Sequence, residues 1–209
     1  MKTITLSVDD MSFPNNQFFY WEKVREHYPG FKLSAFFIPA DSNYFSLINE
    51  EGMKVARNMI RNAVAEGWLE LIPHGMTHMR EEFRNADYET MEIALLAYEE
   101  FFGEWDVPYI KGFKAPQWLI SKEAVRCLDD YEWFLAVDRN QPDTHIAKRM
   151  YTYNWSIDQP FPTDEEQVKG HSHQTPPSLN NIVDCVTNVI SIPPESKWLF
   201  ISEIMKEKA

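Results

Sequence analysis

The sequence predicts an α/β fold with a mostly parallel sheet, open or closed into a barrel. Short apolar runs alternate with segments of helical period along nearly the whole chain. Several of these segments end at Pro or Gly. Charged or metal-capable residues recur just where the apolar runs stop, and in parallel α/β folds the carboxyl ends of the strands carry the ligands.

Thr3–Val8 alternates in polarity and reads as the first strand, ending at the adjacent Asp9 and Asp10. Phe18, Trp21, Val24 and Tyr28 then mark one helical face. Residues 33–38 form a second strand stopped by Pro39. Met53, Ala56, Ile60, Ala63 and Val64 give an amphipathic helix closed by Gly67. Residues 68–72 are a third strand before Pro73. Tyr88, Met91, Leu95, Tyr98 and Phe102 phase a long helix that Gly103 should stop. Strands follow near 109–113 and 132–137, with a short helix from Ser121 to Asp129 between them. Residues 151–157, 167–170 and 198–202 complete the strands, and a helix spans Ser178–Ile190. There is no linker, repeat or low-complexity tract, so residues 1–209 read as one domain.

The 209 residues are 44% hydrophobic and 14% aromatic, enough for a packed core. A formal net charge of −12 argues against nucleic acid or an anionic membrane as a partner. No apolar stretch approaches the ~18 residues of a membrane span, and Met1 is followed by no signal-like apolar region. A cytoplasmic protein is the expectation. Cys127 and Cys185 lie far apart in mixed-polarity helical segments and read as buried free thiols.

The polar residues at the strand exits are Asp9 and Asp10, then His74, Lys114, Asp138, and finally His171 and His173. Adjacent strand residues point to opposite faces, so one of the two aspartates should aim inward. An inward carboxylate is costly without a positive partner. In "HGMTH", His74 and His78 are four apart, a spacing that would bring both imidazoles to one side of a helical turn. A lone HxxxH or Asp-Asp pair is most often incidental. Together, at two different strand exits, they suit a divalent ion held by two histidines and one carboxylate, with positions left for water and substrate. No glutamate follows His74, which excludes the HExxH arrangement.

Asp9-Asp10 in "SVDD", His74 and His78 in "HGMTH", and "FKAPQW" from Phe113 to Trp118 resemble, in order and approximate spacing, the motifs of the NodB-homology polysaccharide deacetylases, carbohydrate esterase family 4. The resemblance runs from Asp9 to His173. It implies a distorted (β/α) barrel of about seven mostly parallel strands with outer helices, and a metal-dependent deacetylase acting on an acetylated sugar. By position, Asp10, His74 and His78 would bind one divalent metal ion. Zn²⁺ is the first choice, with Co²⁺, Ni²⁺, Fe²⁺ or Mn²⁺ as alternatives. Asp9 would be the general base. Lys114 would pair with Asp9, and His171 or His173 would be the acid. His171 is preferred because the strand leading into it fits the pattern better. Pro116, Trp118 and Trp155 are candidates to line the acetyl or sugar pocket, and Asp138 could tune the acid histidine.

The chain departs from the family pattern at two places. Met11 stands where glycine usually follows the aspartates, and Lys114 stands where arginine usually pairs with the base. Lysine keeps the charge but loses the bidentate fork. These departures leave two alternatives: an impaired carbohydrate-binding module of the same fold, or a metal-dependent amidase acting on a non-sugar acyl group. A cytoplasmic sugar-nucleotide or lipid-linked precursor, or an intracellular glycan, fits the expected location better than cell-wall polymer.

Overall fold

The computed structural model describes residues 1–12, 17–40, 50–137, 147–172 and 179–207. Its elements run in order β1 (Thr3–Met11), α1 (Gln17–His27), β2 (Leu33–Phe37), α2 (Glu50–Ala65), β3 (Leu69–Pro73), α3 (Tyr88–Trp105), β4 (Gly112–Phe113), a 3₁₀ turn (Pro116–Trp118) and α4 (Lys122–Asp130). They continue with β5 (Phe134–Val137), β6 (Met150–Thr152), β7 (Trp155–Ser156), β8 (Gln167–Ser172), α5 (Leu179–Ile190), β9 (Lys197–Trp198) and α6 (Ile201–Glu207).

One sheet has the order β3-β2-β1-β8-β7, with β9 also pairing with β1, and a second has the order β4-β5-β6. Every pairing between these strands is parallel. Backbone bonds from Ile110 N to Leu71 O (2.8 Å) and from Lys114 N to Pro73 O (3.1 Å) join the sheets along the β3–β4 seam. The result is a distorted (β/α) barrel.

Strand alternation sorts β1 between two environments. Ile4, Leu6 and Val8 face outward into the large apolar layer that α1, α2, α3 and α5 share with the sheet. Thr5, Ser7 and Asp9 are the intervening positions, all buried. The alternate residues on β2 and β3, Phe36 and Ile72, join a smaller apolar cluster with Phe134, Ala136, Tyr151, Ile201 and Met205. Both faces of β2 and β3 are therefore buried, as expected for parallel strands covered by helices.

Several expected boundaries shift for identifiable reasons. Gly103 does not stop α3; the helix continues to Trp105 and ends at Asp106, whose left-handed backbone (φ 50°) turns its N–H back to Gly103 O. The strand expected over 151–157 is two strands in different sheets, interrupted at residues 153–154. The strand expected over 198–202 stops at Trp198, and α6 begins at Ile201. Its start is fixed from inside the barrel: Ile201 N donates to Ser34 Oγ (3.0 Å) and Ser202 N to Glu70 Oε1 (3.2 Å). Both cysteines are buried free thiols. Among the described residues, no helix is long and apolar enough to cross a membrane.

Glu70 is 6% exposed and also accepts from Ser34 Oγ at 2.6 Å. Burial pushes its carboxyl up, against the lowering bonds from Ser202 and Ser34, and the nearby Glu203 adds to the rise. The folded state thus holds this proton more tightly than the unfolded chain. That contribution to stability is full below the unfolded value of about 4.3 and is lost as pH rises through the raised folded value. Glu70→Gln keeps an acceptor for Ser34 and Ser202 and removes the titration. Its stability relative to the wild type, measured by urea unfolding, is expected to rise once pH exceeds the unfolded value of about 4.3 and to level off once pH passes the raised folded value. A pH-independent difference would show that burial of this carboxylate carries no penalty.

Candidate metal and acid–base site

The two aspartates reach the same site because β1 is irregular where they sit. Val8 pairs with Ala35 and Met11 with Phe37, so three steps along β1 match two along β2. This is a bulge of one extra residue, and Asp10 takes a left-handed conformation within it (φ 57°). A bulge re-aims side chains that a regular strand would send to opposite faces. Met11 is 1% exposed and lies outside the positive-φ region, so its backbone does not require glycine.

His74 and His78 converge on Asp10. His74 Nε2 lies 3.4 Å and His78 Nε2 3.1 Å from Asp10 Oδ1, and the two rings are 4.9 Å apart. One ligand atom from each of the three residues falls within 4.8 Å of the others. The segment is a loop and not the helical turn that the spacing suggested; His78 is left-handed (φ 57°) and swings back toward His74. A non-glycine residue in that region carries strain that its surroundings must hold. Burial on its own raises the Asp10 carboxyl, but the bonds from His74 and His78 outweigh it and hold the group below its ordinary value. Burial would lower His78, yet its bond and charge contact with Asp10 raise it.

The donor set fits a divalent ion of the zinc type, with two imidazole nitrogens and one carboxylate oxygen. The other nitrogen of His74, Nδ1, lies 2.8 Å from Lys114 O. A donated N–H there fixes the tautomer that leaves Nε2 for an ion, a common outer support for ligating histidines.

A second cluster lies immediately inside the first. Lys114 Nζ and His171 Nε2 both contact Asp9 Oδ2, the latter at 3.2 Å. Asp9, Lys114 and His171 are 4%, 1% and 1% exposed, so this is a buried group of one acid and two bases. Burial alone would raise the Asp9 carboxyl. The charges of His171 and Lys114 prevail and hold it well below the usual carboxylate range.

Trp118 lies in the 3₁₀ turn with Pro116. Its ring is 3.7 Å from Lys114 Nζ and 5.5 Å, edge-on, from the His171 ring. Pro116 is buried and packs toward Gly75. Trp155 is not brought to this group. It is 4% exposed, packs against Phe161, and sits where a Cβ on Gly170 would meet its ring at 2.6 Å. Asp138 and His173 lie outside the described residues.

Three participants were not legible as such in the sequence. Ser7 Oγ donates to Gly170 O (3.2 Å) and lies 2.8 Å from His171 Nδ1, so it can accept from that ring nitrogen. Its signal was its position two residues before Asp9 on the same face. Tyr153 stacks on His171 with centroids 4.6 Å apart. Phe36 packs beneath His74 and His171, at 6.1 and 5.8 Å.

No protein-family profile and no curated protein sequence matches the chain. Solved structures do match. A family 4 acetyl xylan esterase from Clostridium thermocellum, in complex with a cobalt ion, has a TM-score of 0.67 at 13% identity, over 99% of this chain and 92% of that one. The carbohydrate esterase family 4 domain of a multidomain xylanase from the hindgut metagenome of Trinervitermes trinervoides gives 0.60 at 13% identity, over 99% and 91%. A wild-type family 4 pseudoenzyme from Bacillus anthracis gives 0.59 at 13% identity, over 98% and 65%. At such identities the likeness is one of fold, and the chain has the distorted barrel of the NodB-homology polysaccharide deacetylases, carbohydrate esterase family 4.

Proposed function

We propose that this protein is a metal-dependent hydrolase that removes acetyl groups from an acetylated sugar. The observation that carries the reading is the adjacency of two separate clusters at one end of the barrel. One is a three-ligand set, Asp10, His74 and His78, and the other a buried acid–base set, Asp9, Lys114 and His171. A divalent ion held by the first set, Zn²⁺ for preference, supplies Lewis acidity at the acyl carbonyl and lowers the pKa of water.

The chain's own residues supply the remaining chemistry. Asp9 is kept ionised by Lys114 and His171 and can accept the proton of an attacking water. Lys114 holds Asp9 in place and keeps the positive charge that arginine would bring. His171 is the donor to the departing amine or alkoxide, with Ser7 orienting its ring through Nδ1. Trp118 and Tyr153, both partly exposed beside His171, offer flat faces suited to a sugar ring.

A second reading, a carbohydrate-binding module without activity, is favoured by the likeness to a family 4 pseudoenzyme. Against it stand the three-ligand set and the buried Asp9, Lys114 and His171, which together could supply a metal, a base and an acid. Acetate release from a panel of acetylated sugars, with and without a chelator, separates the readings. Release that stops with chelator and returns with Zn²⁺ or Co²⁺ is the expected result. Sugar binding without release would support the module, and release only from non-sugar acyl amides would support an amidase.

A further inference from the structure

The loop that carries both histidines is tied down from outside, by Glu82. Glu82 Oε1 accepts from Met76 N at 2.9 Å and from Thr77 N at 3.3 Å, the two backbone donors midway between His74 and His78. Two successive N–H groups closing on one oxygen form a small anion nest. The other carboxylate oxygen fills the space beside Gly75: a Cβ there would lie 2.6 Å from Glu82 Oε2 and 2.6 Å from Pro116 Cγ. Gly75 is left-handed (φ 67°), so the loop uses glycine both for its turn and for room to admit the carboxylate.

Both ends of this tie are fixed. Met76 O accepts from Ala40 N at 2.9 Å, so the peptides flanking residue 76 are held from the turn that follows β2 as well as from Glu82. The next residue, Phe83, is 2% exposed, pairs with Ile120, and stacks edge-on against Phe113 at 5.0 Å. Glu82 is therefore anchored by the core one residue away, while its carboxylate reaches into the loop.

We infer that Glu82 is a positioning residue for the metal site, holding the His74–His78 loop in the turn that brings His78 back onto Asp10. Without the tie, the left-handed backbone at Gly75 and His78 has less to hold it, and His78 is the ligand free to swing out. Groups that orient metal ligands typically contribute about 10–100-fold in metal affinity. The inference rests on the metal reading of Asp10, His74 and His78.

The test uses the full chain stripped of metal, titrated with Zn²⁺ against a chromophoric chelator and with Co²⁺ by visible absorption. Glu82→Ala is expected to bind Zn²⁺ about 10–100-fold more weakly than the wild type. Its Co²⁺ spectrum should change while the unfolding midpoint of the metal-free protein stays close to that of the wild type. Glu82→Gln, which retains a carbonyl oxygen for Met76 N and Thr77 N, should recover most of the affinity. Wild-type affinity in Glu82→Ala, or equal losses in both variants, overturns the inference and leaves the three-ligand site standing. A wild-type protein that takes up no ion overturns the site itself and the inference with it.

Discussion

Replacing His74 by alanine is expected to abolish metal uptake and acetate release together. His74 offers Nε2 beside Asp10 and is itself fixed through Nδ1 at Lys114 O, so its loss removes one of the three ligand atoms. Asp10→Asn should weaken binding in the same direction, because a neutral amide is a poorer ligand for a borderline cation. Metal content by elemental analysis, beside initial rates, checks both variants. Full occupancy in His74→Ala would remove the site from this part of the barrel. The position of His74 at the end of β3, 1% exposed, makes collapse a concern, so unfolding midpoints belong beside the metal measurement.

Asp9→Asn is expected to lower turnover by ~10²–10⁴, the usual contribution of a general acid–base group, while the ion stays bound. The change also costs stability, because Asp9 balances Lys114 and His171 in a pocket where all three are at most 4% exposed. Removing the carboxylate leaves buried positive charge without compensation, a loss on the order of 3 kcal/mol. The variant should therefore be measured at a temperature where circular dichroism shows it fully folded. Metal retained with turnover lost assigns Asp9 to the chemistry. An emptied metal site in Asp9→Asn, with Asp10→Asn still filled, would exchange the roles of the two residues.

The effects of these substitutions depend on contacts that one-dimensional spacing expresses only in part. Strand positions were most legible where a strand, as in β2 and β3, is buried on both faces and so appears as an apolar run. The residues at strand exits were legible because the topology gathers those exits at one end of the barrel. Asp9, Asp10, His74, Lys114 and His171 were singled out this way, and the fold places them in two adjacent groups. Trp155 was misplaced, since nothing in a sequence tells a tryptophan in the core from one at a binding surface; its closeness to Gly170 and Phe161 settles it.

The sequence by itself determined the α/β class, the order of most elements and the residue types of both clusters. Those follow from local periodicity and from the chemistry of the side chains. Only the tertiary structure decided how they meet. The extra residue in β1 turns both aspartates toward one site, and the left-handed backbone at His78 does for a loop what a helical turn was expected to do. Glu82, Ser7 and Phe36 belong to the same class of facts. Each acts through a partner that is remote in sequence or meets it only through the folded backbone, and local pattern carries no record of such pairings. Backbone irregularity and long-range hydrogen bonding are properties of packing, and they exist only once the barrel has closed.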